Sequence, residues 1–219
     1  MARLLFEKKG NAVWISHLDL MRLFQRAFQR AGLNLKHTQG FNPRPSVSIA
    51  LPLSVGVESA CELLDFDLEG ENISNEEILK KLNKALVEGV KVLKVYDNGK
   101  KIRDLALLEC SVFLEYDTGV DEDTVNAIRK LFEEETLTVT KKSKNGPTQQ
   151  DIIPMIRRLD AVRQDDNTVR VDALICCQNP SLNPAQLVLA VEKYLPDRKP
   201  DHAYSKRKEI YTAEETIFR

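Results

Sequence analysis

The chain has 219 residues, a length that accommodates one large domain or two compact domains of about 100 residues each. With 42% hydrophobic and 30% charged residues it has an ordinary globular composition, which excludes a collagen-like, low-complexity or wholly disordered chain. The net charge is -1, no apolar run approaches the roughly 18 residues of a membrane span, and the first six residues lack a signal-peptide core, so we expect a cytoplasmic protein with no membrane contact.

Apolar residues recur at helical spacing in four segments, two of which begin with a capping box. Ser16 is followed three residues later by Asp19, and Ser74 is followed by Glu77, so that each serine can accept the backbone N–H three residues on. The fourth segment begins with Asn-Pro, a pair that favours the start of a helix. We therefore predict helices over residues 16–32, 74–89, 121–135 and 183–195.

Between these helices lie segments that have the composition of strands. We predict strands at residues 3–7, 47–51, 61–68, 90–96, 107–116, 137–140, 169–176 and 203–212. Each half of the chain then reads strand, helix, two strands, helix, strand, which is the order of a ferredoxin-like domain. We therefore expect an α+β protein with two tandem ferredoxin-like (βαββαβ) domains, over residues 1–98 and 105–219, joined by a polar linker that contains the Asn98–Gly99 turn signal.

The segment His37–Pro45 contains two prolines and a glycine, so it cannot continue a regular strand ladder and must form a shaped loop. It offers an aromatic ring at Phe41, a guanidinium group at Arg44 and a titratable imidazole at His37. This combination suits single-stranded nucleic acid. Phe41 could equally fill the hydrophobic core, and the sequence leaves both interpretations open.

A second candidate surface lies on the first predicted helix. Arg22, Arg26 and Arg30 recur at four-residue spacing and therefore share one helix face, where they could bind a row of phosphates. The alternative is a solvated face whose arginines cover apolar surface or pair with carboxylates. Residues 1–60 contain eight Lys and Arg against three Asp and Glu, whereas residues 61–136 contain ten against nineteen. The basic N-terminal third favours a phosphate-bearing partner, unless the thirds of the chain fold together and cancel.

The last predicted strand is also basic. Lys206, Arg207 and Lys208 follow Tyr204, and nucleic-acid-binding proteins use such mixtures of positive charge and aromatic rings. Strand alternation would send Lys206 and Lys208 to one face of the sheet and Arg207 to the other. For a further basic segment, Lys141–Lys144, the sequence favours a solvated turn over a binding loop.

Three short segments carry a resemblance to a known family. They are ISHLD at residues 15–19, GFNPRP at 40–45 and ALPLSVG at 50–56, and together they resemble the radical SAM-linked protein family, a domain of unknown function. The resemblance is strong over residues 1–70 and looser beyond them. Members of that family are fused to radical SAM proteins or encoded beside them, often near ribonuclease and ribosomal-protein genes. The resemblance therefore implies a radical SAM protein as partner and an RNA setting, but no established activity.

Motifs that carry catalysis or bind metals are missing from the sequence. It contains no GxSxG, no phosphate-binding glycine loop and no HExxH, and its four cysteines lack the CxxxCxxC spacing that holds an iron–sulfur cluster. We therefore expect no cofactor and no bound metal. His17 and His37 are weak candidates for acid–base chemistry. The tandem layout also resembles the repeat-processing endoribonucleases of CRISPR systems, although the glycine-rich C-terminal loop of those enzymes is missing here.

These observations lead to one hypothesis with two alternatives. The chain is expected to be a non-catalytic accessory protein of a radical SAM enzyme that binds RNA, either tRNA or rRNA, or an RNA-bound assembly. The residues expected to contact the RNA or the partner are Arg22, Arg26, Arg30, His37, Phe41, Arg44, Lys206, Arg207 and Lys208. The alternatives are an endoribonuclease in which His17 or His37 reaches a ribose hydroxyl, and a protein adaptor without RNA contact.

Overall fold

The computed structural model describes residues 1–70, 73–143 and 146–219. The chain divides into two compact units, unit 1 with residues 1–102 and Arg219, and unit 2 with residues 103–218. The described residues form four helices and ten strands, which confirms the predicted α+β class. The basic turn predicted near Lys144 lies in part outside the described residues.

Unit 1 contains a four-stranded antiparallel sheet and two helices. Its elements are β1 (Ala2–Lys8), α1 (His17–Arg30), β2 (Val47–Ile49), β3 (Glu58–Phe66), α2 (Asn75–Ala85) and β4 (Val90–Asp97). The strands lie in the order β4-β1-β3-β2, and every neighbouring pair is antiparallel. The predicted chain order of strands and helices is therefore confirmed for this unit.

The two helices of unit 1 begin where the capping boxes predict. The Ser16 hydroxyl accepts the Asp19 N–H at 3.2 Å, and the Ser74 hydroxyl accepts the Glu77 N–H at the same distance. The apolar stripe of α1 is buried against the sheet, with aromatic pairs Phe6–Phe24 and Phe28–Phe66 at centroid distances of 4.7 and 5.0 Å. Burial of such rings contributes a large share of a small domain's stability.

A buried ion pair joins two adjacent strands of unit 1. Arg3 on β1 lies opposite Asp65 on β3, and its Nε and Nη2 atoms donate to the two carboxylate oxygens at 2.5 and 3.0 Å. The Arg3 Nη1 atom donates to the Lys100 carbonyl oxygen at 2.9 Å. Burial disfavours the charged guanidinium, but the hydrogen bond and the charge of Asp65 outweigh this effect and raise the pKa of Arg3.

Unit 2 contains a second four-stranded sheet, a separate hairpin and two helices. Its elements are β5 (Leu107–Glu115), α3 (Glu122–Leu131), β6 (Thr138–Ser143), β7 (Gly146–Asp151), β8 (Ile156–Arg163), β9 (Thr168–Cys176), α4 (Ala185–Tyr194) and β10 (His202–Tyr211). The strands of the sheet lie in the order β10-β5-β9-β8, again with antiparallel neighbours. Strands β6 and β7 pair only with each other among the described residues.

The strand prediction for the second half is wrong, because it misses two strands, β7 and β8. The segment at residues 137–140 forms part of β6, but β6 lies in the hairpin and not beside β9. The position beside β9 belongs to β8, which the sequence did not predict. Strand β8 is an edge strand with four charged residues in eight, and Ala161 is its one buried residue. It therefore lacks the apolar pattern by which strands are recognised.

Candidate nucleic-acid interface

The three arginines of α1 have different surroundings. Arg22 pairs with Asp19, with its Nη1 atom 3.0 Å from a carboxylate oxygen, and Arg30 donates to the Ala85 carbonyl oxygen at 2.6 Å. Arg26 is exposed and makes no ion pair or hydrogen bond within the part of the chain that the structure describes. Of the three, Arg26 therefore has the guanidinium group whose donors are most available to a ligand.

Arg26 lines a groove of about 490 Å³ on the surface of unit 1. The groove lies between α1 and the segment that follows it, and its polar lining includes Gln25 and Gln29 from the helix and His37 from the loop. Glu69 contributes a carboxylate. The structure thus brings two sequence-predicted residues, Arg26 and His37, to one surface, whereas Arg22 and Arg30 are not among the lining residues.

The loop between residues 37 and 45 is braced at its base. His37 and Pro45 form an isolated β-bridge, the Thr38 N–H donates to the Arg44 carbonyl oxygen at 2.8 Å, and the Arg44 N–H donates to the Thr38 hydroxyl at 3.0 Å. Phe41, near the tip, is fully exposed to solvent. The interpretation that Phe41 fills the core is therefore wrong, because its ring is outside every buried cluster. The Arg44 side chain is also exposed, without an ion pair to any described residue.

The two candidate acid–base histidines occupy different surroundings. His37 is exposed at the groove, near Arg26 and Glu69. His17 is the first residue of α1, and its buried Nδ1 atom has no hydrogen-bond partner in the described part of the chain. His17 is not among the residues that line the groove. The groove therefore contains one of the two histidines.

The three cations of β10 also differ. The Lys206 ammonium lies 5.6 Å from the centroid of the Phe113 ring, and the Lys208 ammonium lies 2.7 Å from an Asp172 carboxylate oxygen. The strand register shifts between Arg207 and Glu209, so the simple alternation expected from the sequence ends at Lys208. Arg207 is 8% exposed. A buried guanidinium group offers little to a polymer in solvent.

One residue that shapes the segment before the N-terminal end of α1 was not predicted from the sequence. Lys8 is 1% exposed, and its ammonium donates to the carbonyl oxygens of Val13 and Ile15 at 3.1 and 2.8 Å. It therefore holds the segment that leads into the helix. A lysine at the end of a strand gave no signal, because this residue type is almost always exposed.

The described residues show neither a metal site nor a membrane-spanning helix. No group of three or more His, Cys, Asp or Glu side chains in residues 1–70, 73–143 and 146–219 has the arrangement of a metal site. Every helix in these ranges is too short or too polar to cross a bilayer.

A comparison with protein families identifies the chain. Residues 2–184, well over half of its length, match the family described as "Uncharacterized protein conserved in bacteria (DUF2344)". The chain belongs to this family. The description of the DUF2344 family names no activity and no partner, so a radical SAM partner and an RNA ligand stay predictions.

Solved structures show where the fold of this DUF2344 protein recurs. A chain in a Cbf5–Nop10–Gar1 complex is similar with a TM-score of 0.55 and 8% identity, over 95% of this chain and 48% of that chain. The DUF2344 chain thus spans about half of that protein, and at this identity the likeness concerns the fold alone. An unknown protein from Galdieria sulphuraria aligns over 94% of this chain and 96% of its own at 11% identity, with a TM-score of only 0.26. No curated protein matches.

Proposed function

We propose that this protein binds single-stranded RNA on unit 1, in the cytoplasm, as a non-catalytic accessory partner of a radical SAM enzyme. The RNA is a tRNA or rRNA, free or in an assembly. The observation that carries the RNA proposal is the fully exposed Phe41 ring on a loop whose braced base lines the groove beside Arg26. A soluble domain gains no stability from an aromatic ring held in water, whereas a base can stack on it.

The surroundings of Phe41 supply the other contacts that a single strand needs. Arg26 and Arg44 are exposed cations without ion pairs to described residues, so phosphates need not compete with a protein carboxylate for them. Gln25 and Gln29 bring amide groups that can donate to base edges and accept from them. The basic charge of residues 1–60 adds a favourable long-range field.

We extend the proposal to the architecture of both units, as two tandem ferredoxin-like domains. The strand orders β4-β1-β3-β2 and β10-β5-β9-β8, with antiparallel neighbours, support this assignment. In both units the first of the two sheet strands that lie between the helices, β2 in unit 1 and β8 in unit 2, takes the edge position. RNA-recognition motifs also bind RNA on a four-stranded sheet, where aromatic side chains stack on the bases. The architecture is therefore compatible with an RNA ligand.

The test of RNA binding compares two arginines that share one helix face. Fluorescence anisotropy with a short single-stranded RNA should give a weaker affinity for Arg26→Gln, with the slope of log K against log salt flattened by about 0.7 for one lost phosphate contact. Arg22→Gln is the matched control, because Asp19 already pairs with Arg22, and it should change the slope less. Equal slopes for wild type and Arg26→Gln would remove Arg26 from the proposal.

Phe41→Ala separates the role of the ring from that of the charges. We expect an affinity loss of about 1 to 3 kcal/mol, because one base loses its stacking partner. The stability of unit 1 should change by less than about 0.5 kcal/mol, because the ring is exposed. Intact affinity would refute the stacking role. If the wild-type protein cleaves the RNA and His37→Ala does not, the endoribonuclease alternative is favoured. If the wild-type protein has no affinity for RNA, the adaptor alternative is favoured.

The proposed enzyme partner rests on the family resemblance and on a second surface. The segments at residues 15–19 and 50–56 present Leu18 and Val55 as exposed apolar side chains, and exposed Trp14 lies against the Gly56 backbone. Exposed apolar groups that lie together, as Trp14 and the Val55–Gly56 backbone do, mark protein contacts more often than RNA contacts. Leu18→Ser should reduce co-purification with a radical SAM protein and leave RNA affinity unchanged. Recovery of no protein with a CxxxCxxC cluster motif would refute the partner.

A further inference from the structure

One face of the unit 2 sheet carries polar and aromatic side chains, whereas the other face is apolar. Alternate residues of β5 and β9 such as Val112, Leu114, Val169 and Val171 are buried, and helices α3 and α4 contact this sheet. The residues between them point the opposite way. The strand register aligns that opposite face into two adjacent rows, Tyr204–Phe113–Arg170 and Lys206–Ser111–Asp172.

The first row contains a preformed aromatic stack. The Phe113 and Tyr204 rings lie 4.6 Å apart between centroids, with an interplanar angle of 7°. Phe113 is buried, whereas Tyr204 is 41% exposed. The Lys206 ammonium lies over the Phe113 ring, which restrains both groups. Tyr204 is thus held in one orientation before any ligand arrives, so a ligand that stacks on it loses little side-chain entropy.

The carboxylate of the second row is held by neighbouring donors. Asp172 accepts from Ser111 and Lys208, and Arg170 donates to its other oxygen at 2.9 Å. Burial opposes ionisation of Asp172, but the hydrogen bonds from Lys208 and Ser111 outweigh it and lower the pKa of the carboxyl group. Arg170 and Lys208 are thus paired with Asp172, whereas the Lys206 ammonium lies beside the stacked rings, over Phe113.

We propose that this face of unit 2, defined by Tyr204, Phe113, Arg170, Lys206 and Lys208, is a second binding site for single-stranded RNA. A base stacks on Tyr204, and a flanking phosphate contacts Lys206. The Lys206 ammonium beside the rings favours an anionic ligand, and the stacked ring pair favours one with planar bases over an acidic peptide. The inference rests on the proposed function, because single-stranded RNA is again the ligand, but it concerns different residues.

The test uses tyrosines that match in exposure. Tyr194 on α4 is 40% exposed and has the Lys193 ammonium 4.8 Å from its ring centroid, but no described aromatic ring stacks on it. With a fluorescein-labelled short single-stranded RNA, Tyr204→Ala should weaken binding about 5- to 150-fold, whereas Tyr194→Ala should not. Tyr204→Phe keeps the ring and should retain the affinity. Comparable losses for Tyr194→Ala and Tyr204→Ala would overturn the site.

Two further measurements test the site even if Tyr204→Ala perturbs the fold. Lys206→Gln should flatten the salt slope by about 0.7, and photocrosslinking of RNA that contains 4-thiouridine should label the peptide with Tyr204. Retained affinity in Tyr204→Ala together with a loss in Phe41→Ala refutes this site and leaves the unit 1 proposal standing. The reverse pattern supports this site and refutes the first. Displacement of RNA by polyglutamate with no effect of Tyr204→Ala would indicate an acidic protein ligand and overturn the inference.

Discussion

The buried ion pair between Arg3 and Asp65 allows a sharp test of the packing of unit 1. The substitution Asp65→Asn keeps the shape of the side chain and removes its charge. The two side chains are only 6% and 10% exposed, so water cannot take over the role of the carboxylate. The Arg3 guanidinium would then stay buried and lose the carboxylate that faces it across the strands, while the Lys100 carbonyl oxygen still accepts from it.

The expected cost follows from this burial. Breaking a buried pair by removing one partner typically destabilises a protein by about 3 to 5 kcal/mol, because an uncompensated charge is left inside. At about 1.4 kcal/mol for each factor of ten, the opening equilibrium of the sheet rises by roughly two to three and a half powers of ten. Asp160→Asn is the control: its pair with Arg129 is exposed, and the expected cost is about 0 to 1 kcal/mol.

Native-state hydrogen exchange measures the effect in each unit separately. The amides of β1 and β3 should lose protection in Asp65→Asn, while the amides of β5 and β9 serve as an internal reference. The double variant Arg3→Met with Asp65→Leu should recover most of the loss, because apolar groups of similar volume replace the charges. A loss in Asp65→Asn no larger than that in Asp160→Asn would refute the reasoning.

Alkylation and glycine substitution give two more expected outcomes. At mildly alkaline pH, iodoacetamide should modify half-buried Cys176 well before Cys110, because burial raises the pKa of the Cys110 thiol to about 12. Peptide mass spectrometry gives the order of modification, and the reverse order would contradict the packing. Gly89→Ala should lower stability in urea more than Gly32→Ala. Both have positive φ, +84° and +67°, but a Cβ at Gly89 would lie 2.4 Å from the Lys9 carbonyl oxygen, whereas one at Gly32 meets nothing within 4 Å. Equal losses would show that backbone strain alone sets the cost.

The local features of the fold could be predicted because they depend on residues close together in the sequence. The capping serines Ser16 and Ser74 begin helices as expected, since their partners are three residues away. Helix α4 differs slightly: it begins at Ala185, and the Asn183 side chain accepts the Ala185 N–H at 3.0 Å. The α+β class followed from the same short-range patterns.

The strand content of the second half was harder to predict, for a physical reason. An edge strand has one neighbour and can expose most of its side chains, so it needs no apolar alternation. Strand β8 is of this kind. Its position and register are set by its pairing with β9, and this pairing forms only in the folded chain. The apolar start of β6, by contrast, predicted a strand correctly but not its partner, which is β7.

Residue types and spacing were enough to propose the candidate interface residues, whereas their availability to a ligand depends on contacts made in the folded chain. Spacing placed Arg22, Arg26 and Arg30 on one face of α1, but Arg30 donates to Ala85, a carbonyl 55 residues away that no spacing reveals. The exposure of Phe41 likewise depends on where a braced loop leaves the surface. Side-chain pairing and burial are set by residues distant in the chain, so these properties emerge only when the chain is folded.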